Sequence, residues 1–180
     1  MFFYNWPRNF YYYPGLKEAV DFVKKMGFNP LRSQFVAAVN IMLFMQKAEW
    51  EKKFDVYKRW GWSEEEIFTA FRKHPWFMIT SEKKIMAVMD IFVNKMGWEP
   101  SAIAEQPILF SVSLEKRIIP RASVLQYLLI KGLLKNKPLA ARAFTQCEKS
   151  FLQKFVNCYA EAPHIMKLYN EKLDLSENRN

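Results

Sequence analysis

Gly61-Trp62-Ser63-Glu64-Glu65-Glu66-Ile67 opens the stretch whose reading decides the fold, and Val93-Asn94-Lys95-Met96-Gly97-Trp98 closes it. The two ends repeat each other: Lys58-Arg59-Trp60-Gly61-Trp62 is matched by Asn94-Lys95-Met96-Gly97-Trp98. The same phrase stands earlier as Lys24-Lys25-Met26-Gly27-Phe28, and in altered form as Leu129-Ile130-Lys131-Gly132-Leu133. The glycines at 27, 61, 97 and 132 are 34, 36 and 35 residues apart, and they are four of the five in the chain. A beat of this length marks stacked helical repeats, in which no single unit buries its apolar face alone.

Between the glycines the pattern reads as helices. Ser63 with Glu66 three residues on is a capping box. Glu64, Glu65 and Glu66 then lie at the positive end of the helix dipole, and Arg72, Lys73 and His74 at its negative end. Pro75 stops the helix. Trp76-Phe77-Met78-Ile79 is short and apolar, which suits a buried 3₁₀ turn. Ser81 starts the next unit, where Ile85, Val88, Met89, Phe92, Val93 and Met96 keep helical spacing up to Gly97. Ser101–Glu105 is a shorter helix closed by Pro107, and Ile108–Val112 parallels the turn at 76–79.

Outward from the centre the signals weaken. Lys17–Met26 reads as a helix with Ala19, Phe22, Val23 and Met26 inward, and a second runs from about Leu31 to Leu43 with Phe35, Val36, Val39 and Leu43 inward. Glu49–Trp60 presents Trp50, Phe54 and Tyr57 to the core and places Lys52, Lys53, Lys58 and Arg59 on the surface. Ser113-Leu114-Glu115-Lys116-Arg117-Ile118 stands beside Ser81-Glu82-Lys83-Lys84-Ile85 as the start of a fourth unit, with Val124, Leu125, Leu128 and Leu129 inward. Pro120 lies too deep for a first turn and predicts a kink. Beyond Gly132, Lys135–Pro138 reads as a loop, Leu139–Phe144 and Phe151–Tyr159 as helices, and Pro163 opens a last helix over His164–Lys172. No strand pattern appears. The expectation is an all-α solenoid of right-angled to antiparallel helices in repeats of about 35 residues. It is bounded by an aromatic N-terminal extension, 1–15, and a polar tail, 176–180, with 16–175 as the repeat domain.

Half of the 180 residues are hydrophobic and 17% aromatic, a composition that folds. The net charge of +9 suits a polyanionic partner, although solubility alone would also explain it. Cys147 and Cys158 are neither a metal-ligand pair at finger spacing nor a disulfide framework. No apolar run approaches the roughly 20 residues of a membrane span. The first thirteen residues carry one charge, Arg8, and lack the pattern of a presequence or secretory signal. The chain is therefore expected to be the C-terminal part of a longer design or the translation of a truncated gene model.

No catalytic constellation, metal site or cofactor motif emerges. His74 and His164 are isolated, and His74 sits where the dipole favours a cation. Glu64–Glu66 are explained by the helix N-terminus, and the glycines are too far apart to cradle a phosphate. The reading is not an enzyme. The basic residues are more informative. Arg72-Lys73, Lys83-Lys84 and Lys116-Arg117, with Arg121, fall at comparable repeat positions, which a solenoid aligns as a stripe. Such a stripe fits a duplex backbone, where phosphate neutralisation supplies affinity. Lys83, Lys84 and Lys116 lie in first turns, where the dipole gives a cation nothing.

The chain resembles the mitochondrial transcription termination factor (mTERF) family in its plant branch. The resemblance rests on Gly61-Trp62-Ser63-Glu64-x-Glu66-Ile67, Ala70-Phe71-Arg72-Lys73-x-Pro75, Ser81-Glu82-x-Lys84-Ile85, Phe92-x-x-Asn94-Lys95-x-Gly97-Trp98-x-Pro100 and Leu114-Glu115-Lys116-Arg117-Ile118-Ile119-Pro120-Arg121, and continues from Glu148 to Val156. It implies repeats of two antiparallel helices plus a 3₁₀ helix, stacked into a superhelix with a basic path for double-stranded nucleic acid. It implies a monomer acting in organellar transcription, including termination, in a mitochondrion or chloroplast, without small-molecule substrate, cofactor or membrane. By position it carries over Arg72, Lys73, Lys83, Lys84, Lys116, Arg117 and Arg121 as the nucleic-acid contacts. The first unit departs from the pattern in lacking a proline at the end of its second helix, and Cys147 stands where a serine would cap. The rival readings are a protein-interaction helical-repeat scaffold, an organellar RNA-binding or maturation factor, and a truncated relic that binds little.

Overall fold

The computed structural model describes residues 15–134 and 141–177. Residues 1–14 of the expected 1–15 extension, the loop at 135–138 with the start of the helix after it, and the last residues of the polar tail lie outside that range. Among the described residues every regular element is helical, in keeping with an all-α helical repeat. The chain divides into two compact units, the first ending at Ile79 and the second beginning at Thr80.

The first unit holds α1 (Leu16–Lys25), α2 (Ser33–Phe44), α3 (Lys47–Arg59), α4 (Glu64–Lys73) and a 3₁₀ turn, Pro75–Ile79. Helix α2 packs on α1, on α4 and on the 3₁₀ turn. The capping box at Ser63 is formed in full: Glu66 N donates to Ser63 Oγ at 3.2 Å and Ser63 N to Glu66 Oε2 at 2.7 Å. His74 leaves helical geometry at φ −152°, and the proline behind it begins the 3₁₀ turn.

The glycine phrase has a specific physical meaning. Gly61 has φ +87°, and a Cβ built there meets nothing within 4 Å, so its requirement is one of backbone conformation and not of space. A non-glycine residue in that region costs roughly 1–2 kcal/mol. Gly61 N donates to the Lys58 carbonyl at 2.9 Å and Trp62 N to the Tyr57 carbonyl at 3.3 Å, the paired bonds of a Schellman cap. The cap swings Trp62 back over the helix it ends. Its ring stacks on Tyr57 at 4.8 Å, Tyr57 meets Phe77 at 4.9 Å, and Tyr57 Oη donates to the Phe77 carbonyl at 3.1 Å. All three rings are buried, so the cap, the helix and the 3₁₀ turn share one aromatic core. The same pair of bonds closes α1, through Gly27 N to Lys24 and Phe28 N to Val23.

Three expectations for this unit are corrected. Phe22 is 44% exposed, not inward; Ala19 and Val23 form the buried face of α1. Lys53 is buried, not on the surface. It lies three residues after Trp50 and four before Tyr57, on the apolar face of α3, where packing covers its aliphatic stem. In α2 the buried residues are Ala37, Ala38, Val39 and Ile41, while Phe35, Val36 and Leu43 are half-buried.

The second unit begins with α5 (Glu82–Met89), which continues as a π-helical segment, Asp90–Lys95. Helix α6 (Pro100–Ala104) and a 3₁₀ turn, Pro107–Ser111, follow. A second π-helical segment, Leu114–Ile118, runs directly into α7 (Ile119–Ile130). After it come α8 (Arg142–Thr145), α9 (Glu148–Phe155) and α10 (Ala162–Glu177). Helix α5 packs on the 3₁₀ turn and on the second π segment, and α7 packs along α10.

Both π segments absorb one extra residue. Ser81 and Ile85 are joined by an ordinary helical bond, Ile85 N to the Ser81 carbonyl at 2.9 Å. Ser113 and Ile118 are one residue further apart, and Ile118 N still reaches the Ser113 carbonyl at 3.0 Å through a wider turn. Ser81 Oγ accepts from Lys84 N and Ser113 Oγ from Lys116 N, so both caps survive. Ile85 and Ile118 are both fully buried. At the other end of α5, Phe92 and Trp98 are six apart where Tyr57 and Trp62 are five. Met96 N bonds the Ile91 carbonyl and Trp98 N the Phe92 carbonyl, which leaves the Phe92–Trp98 ring contact at 4.8 Å. An α-to-π widening is the usual way a helix takes in one residue without losing register at either end. Pro120, which the sequence places too deep in a helix, sits at the second position of α7, just after the wide turn.

Candidate nucleic-acid interface

Lys83 and Lys84 precede the buried Ile85 by two residues and one; Lys116 and Arg117 precede the buried Ile118 in the same way. The extra residue in the fourth repeat falls on the cap side of this pair. Each basic pair is therefore fixed in the same register to an isoleucine anchored in the core. Lys83, Lys116 and Arg117 are exposed and Lys84 is half-buried. Burial pulls the Lys84 ammonium below its ordinary pKa, and Glu115 of the next repeat opposes that shift.

Arg72 and Lys73 belong to the first unit, in the last turn of α4, and both are exposed. Arg72 Nη2 donates to Thr69 Oγ1 at 2.8 Å, which orients the guanidinium one turn back along the helix. His74 is half-buried, and burial lowers its pKa, opposite in sign to the dipole effect expected at a helix end.

Arg121 is set apart from the other candidates. It is only 1% exposed, with its guanidinium 4.7 Å from the ring of Phe151. Its Nη1 donates to the carbonyls of Ala143, Phe144 and Gln146 at 3.1, 2.9 and 2.8 Å. These carbonyls surround the C-terminal end of α8, where a cation meets both the dipole and unpaired acceptors. Arg121 thus ties α7 to α8 and is not presented to a polyanion. Its place in the basic stripe is withdrawn on that ground. Burial lowers its pKa and so does Arg117, while Tyr169 and Glu148 oppose the shift.

Beside Arg117 lies an open cavity of about 450 Å³, lined by Ile108, Ser111, Val112, Ser113, Arg117 and Thr145. Reading the sequence did not single out Ser111 or Thr145. Serine and threonine in a turn carry no spacing signal, and only the packing of α8 on the 3₁₀ turn brings Thr145 near Arg117.

Other chemistries find little support among the described residues. No group of three or more His, Cys, Asp or Glu is placed to hold a metal ion. Cys147 and Cys158 are free and exposed, and Cys147, as the N-cap of α9, accepts no side-chain cap bond. No helix is long and apolar enough to cross a membrane.

Comparison with known proteins agrees with the repeat geometry. The chain is similar to transcription termination factor MTERF15, mitochondrial, of Arabidopsis thaliana, with 24% identity over 152 residues. That alignment covers 83% of this chain and 34% of the relative, so the chain spans about a third of its length. No solved structure matches. The family model described as mTERF matches residues 1–177, and the chain belongs to the mTERF family.

Proposed function

We propose that this chain binds double-stranded DNA and regulates organellar transcription, including its termination, without catalysing a reaction. Lys83, Lys84, Lys116 and Arg117 are the contacts of the second unit, and Arg72 and Lys73 those of the first. One observation carries the reading: two basic pairs in successive repeats keep the same register to buried isoleucines although the repeats differ in length. Cations in first turns gain nothing from the helix dipole, so a ligand is the better reason for them. Family membership supports nucleic acid as that ligand. The description of the Arabidopsis relative favours the mitochondrion over the chloroplast.

The test is fluorescence anisotropy with random duplex DNA, matched single strands and duplex RNA at several salt concentrations. The expected result is preference for duplex DNA with steep salt dependence. Reversing the charge of Lys83, Lys84, Lys116 and Arg117 together lowers the logarithmic salt slope by about 3 to 4, near 0.9 per lost phosphate contact. Unchanged affinity in that variant, with a normal melting curve, overturns the proposal.

A second reading has one observation of its own. In the first unit Phe44, Trp76 and Ile79 are 61%, 46% and 56% exposed, beside an open cavity of about 220 Å³. An exposed apolar cluster suits a protein partner. Absence of nucleic-acid binding at low salt by the folded protein favours this scaffold reading.

A further inference from the structure

The cavity beside Arg117 has the chemistry of an oxyanion pocket. Three hydroxyl-bearing residues line it: Ser111 at the end of a 3₁₀ turn, Ser113 at the following cap, and Thr145 at the end of α8. Ser113 Oγ accepts from Lys116 N, which leaves its own proton to donate. Arg117 adds a planar fork of donors that matches the geometry of a phosphate. No carboxylate lines the cavity, and Ile108 and Val112 supply apolar walls.

The C-terminal end of α8, where Thr145 lies, should repel an anion. Here it is neutralised, because the carbonyls of Ala143, Phe144 and Gln146 are all held by the buried guanidinium of Arg121. Arg121 and Arg117 also repel each other, and an anion on Arg117 offsets that repulsion. The arginine withdrawn from the exposed stripe therefore supports the pocket from behind.

We propose that Arg117, Ser111, Ser113 and Thr145 form a pocket for a single phosphate group. This rests on the nucleic-acid reading above for the source of the phosphate, a backbone phosphate of the bound duplex. The pocket makes Arg117 a positioning contact that fixes the protein's register on the backbone, beyond a plain surface charge.

The test measures duplex DNA binding across a salt series for the wild-type chain, S111A/T145V and R117Q, each checked by thermal melting. The double variant is expected to bind about tenfold more weakly at every salt concentration with an unchanged slope, because hydroxyls bond a charged partner without carrying charge. R117Q is expected to lower the slope by about 0.9 as well. If S111A/T145V binds like the wild type while R117Q is weakened, the pocket is refuted and the nucleic-acid reading stands. If the wild type binds no duplex, the nucleic-acid reading fails and inorganic phosphate decides the pocket. A rise in Tm with phosphate that T145V abolishes supports it as a site for free phosphate, and no rise refutes it.

Discussion

The third and fourth repeats begin with nearly the same residues and differ by one. From Ser81 the chain runs Glu-Lys-Lys-Ile into α5; from Ser113 it runs Leu-Glu-Lys-Arg-Ile into α7. If both were α-helical, the additional residue would turn everything after it by about 100° and remove Ile118 from the core. The π turn prevents this. Basic pair and core isoleucine keep their relation, and the cap moves by one residue against the pair: Ser81 Oγ accepts from Lys84 N, the second of its pair, and Ser113 Oγ from Lys116 N, the first. Counting on from the isoleucines, Ala87 corresponds to Pro120 and Val88 to Arg121. The fourth repeat thus takes a proline and a buried cation where the third has two small apolar residues. Register, and not repeat length, is what this architecture holds constant.

The most severe way to break the comparison is to give the third repeat the proline of the fourth. A87P places a proline inside a helix with no wide turn ahead of it. It should cost about 3 kcal/mol or more, a fall in Tm of roughly 6–12 °C for a chain of this size. P120A should cost less than about 1 kcal/mol. Inserting a leucine between Ser81 and Glu82 should partly rescue A87P, and failure to rescue would show that the π turn has nothing to do with Pro120. Next in size is R121M, which leaves three carbonyls without their donor and should cost about 3 kcal/mol by chemical denaturation. R121K should recover only part, since a single ammonium does not reproduce the guanidinium's planar donor set. Full recovery would mean that charge alone matters at this site.

Smaller effects sharpen the match between the two caps. S81A and S113A should each cost about 1 kcal/mol, and nearly the same amount, because both hydroxyls accept from the backbone three residues on. A markedly smaller loss for S113A would indicate that the wide turn does not need its cap. The smallest effect concerns Lys84, whose counterpart Arg117 is exposed. The folded state holds Lys84 below its ordinary value of 10.5, so at neutral pH the charged group is a net cost to folding. That cost is relieved as pH rises through the lowered folded value toward 10.5, where the folded state releases its proton first. K84M should therefore raise Tm slightly at neutral pH, and the gain should shrink in alkaline buffer. An unchanged or lower Tm at neutral pH would show that the attraction of Glu115 outweighs burial.

Local features were legible in the residues. The capping box at Ser63, the glycine caps and the proline-started 3₁₀ turns each depend on a few adjacent positions. Arg121 is legible by position: it is three residues beyond Ile118, on the same helix face, although its charge groups it with Lys116 and Arg117. Lys53 is legible in the same way, because a charge on an apolar helix face counts by position before type. The π turns are hidden from such a reading. Nothing within Leu114–Ile118 demands a wide turn; the demand comes from the cap on one side and the packed isoleucine on the other. The pocket at Arg117 was illegible because Thr145 joins it only through the packing of α8.

The wide turns also bear on how such an array changes over generations. A three-nucleotide insertion in a helix is usually damaging, because every later side chain is turned away from its partners. Here such an insertion is confined between two anchored points and leaves the surface beyond it facing the same way. A gene for an array of this kind can gain or lose single codons inside its helices while the order of its surface positions is preserved.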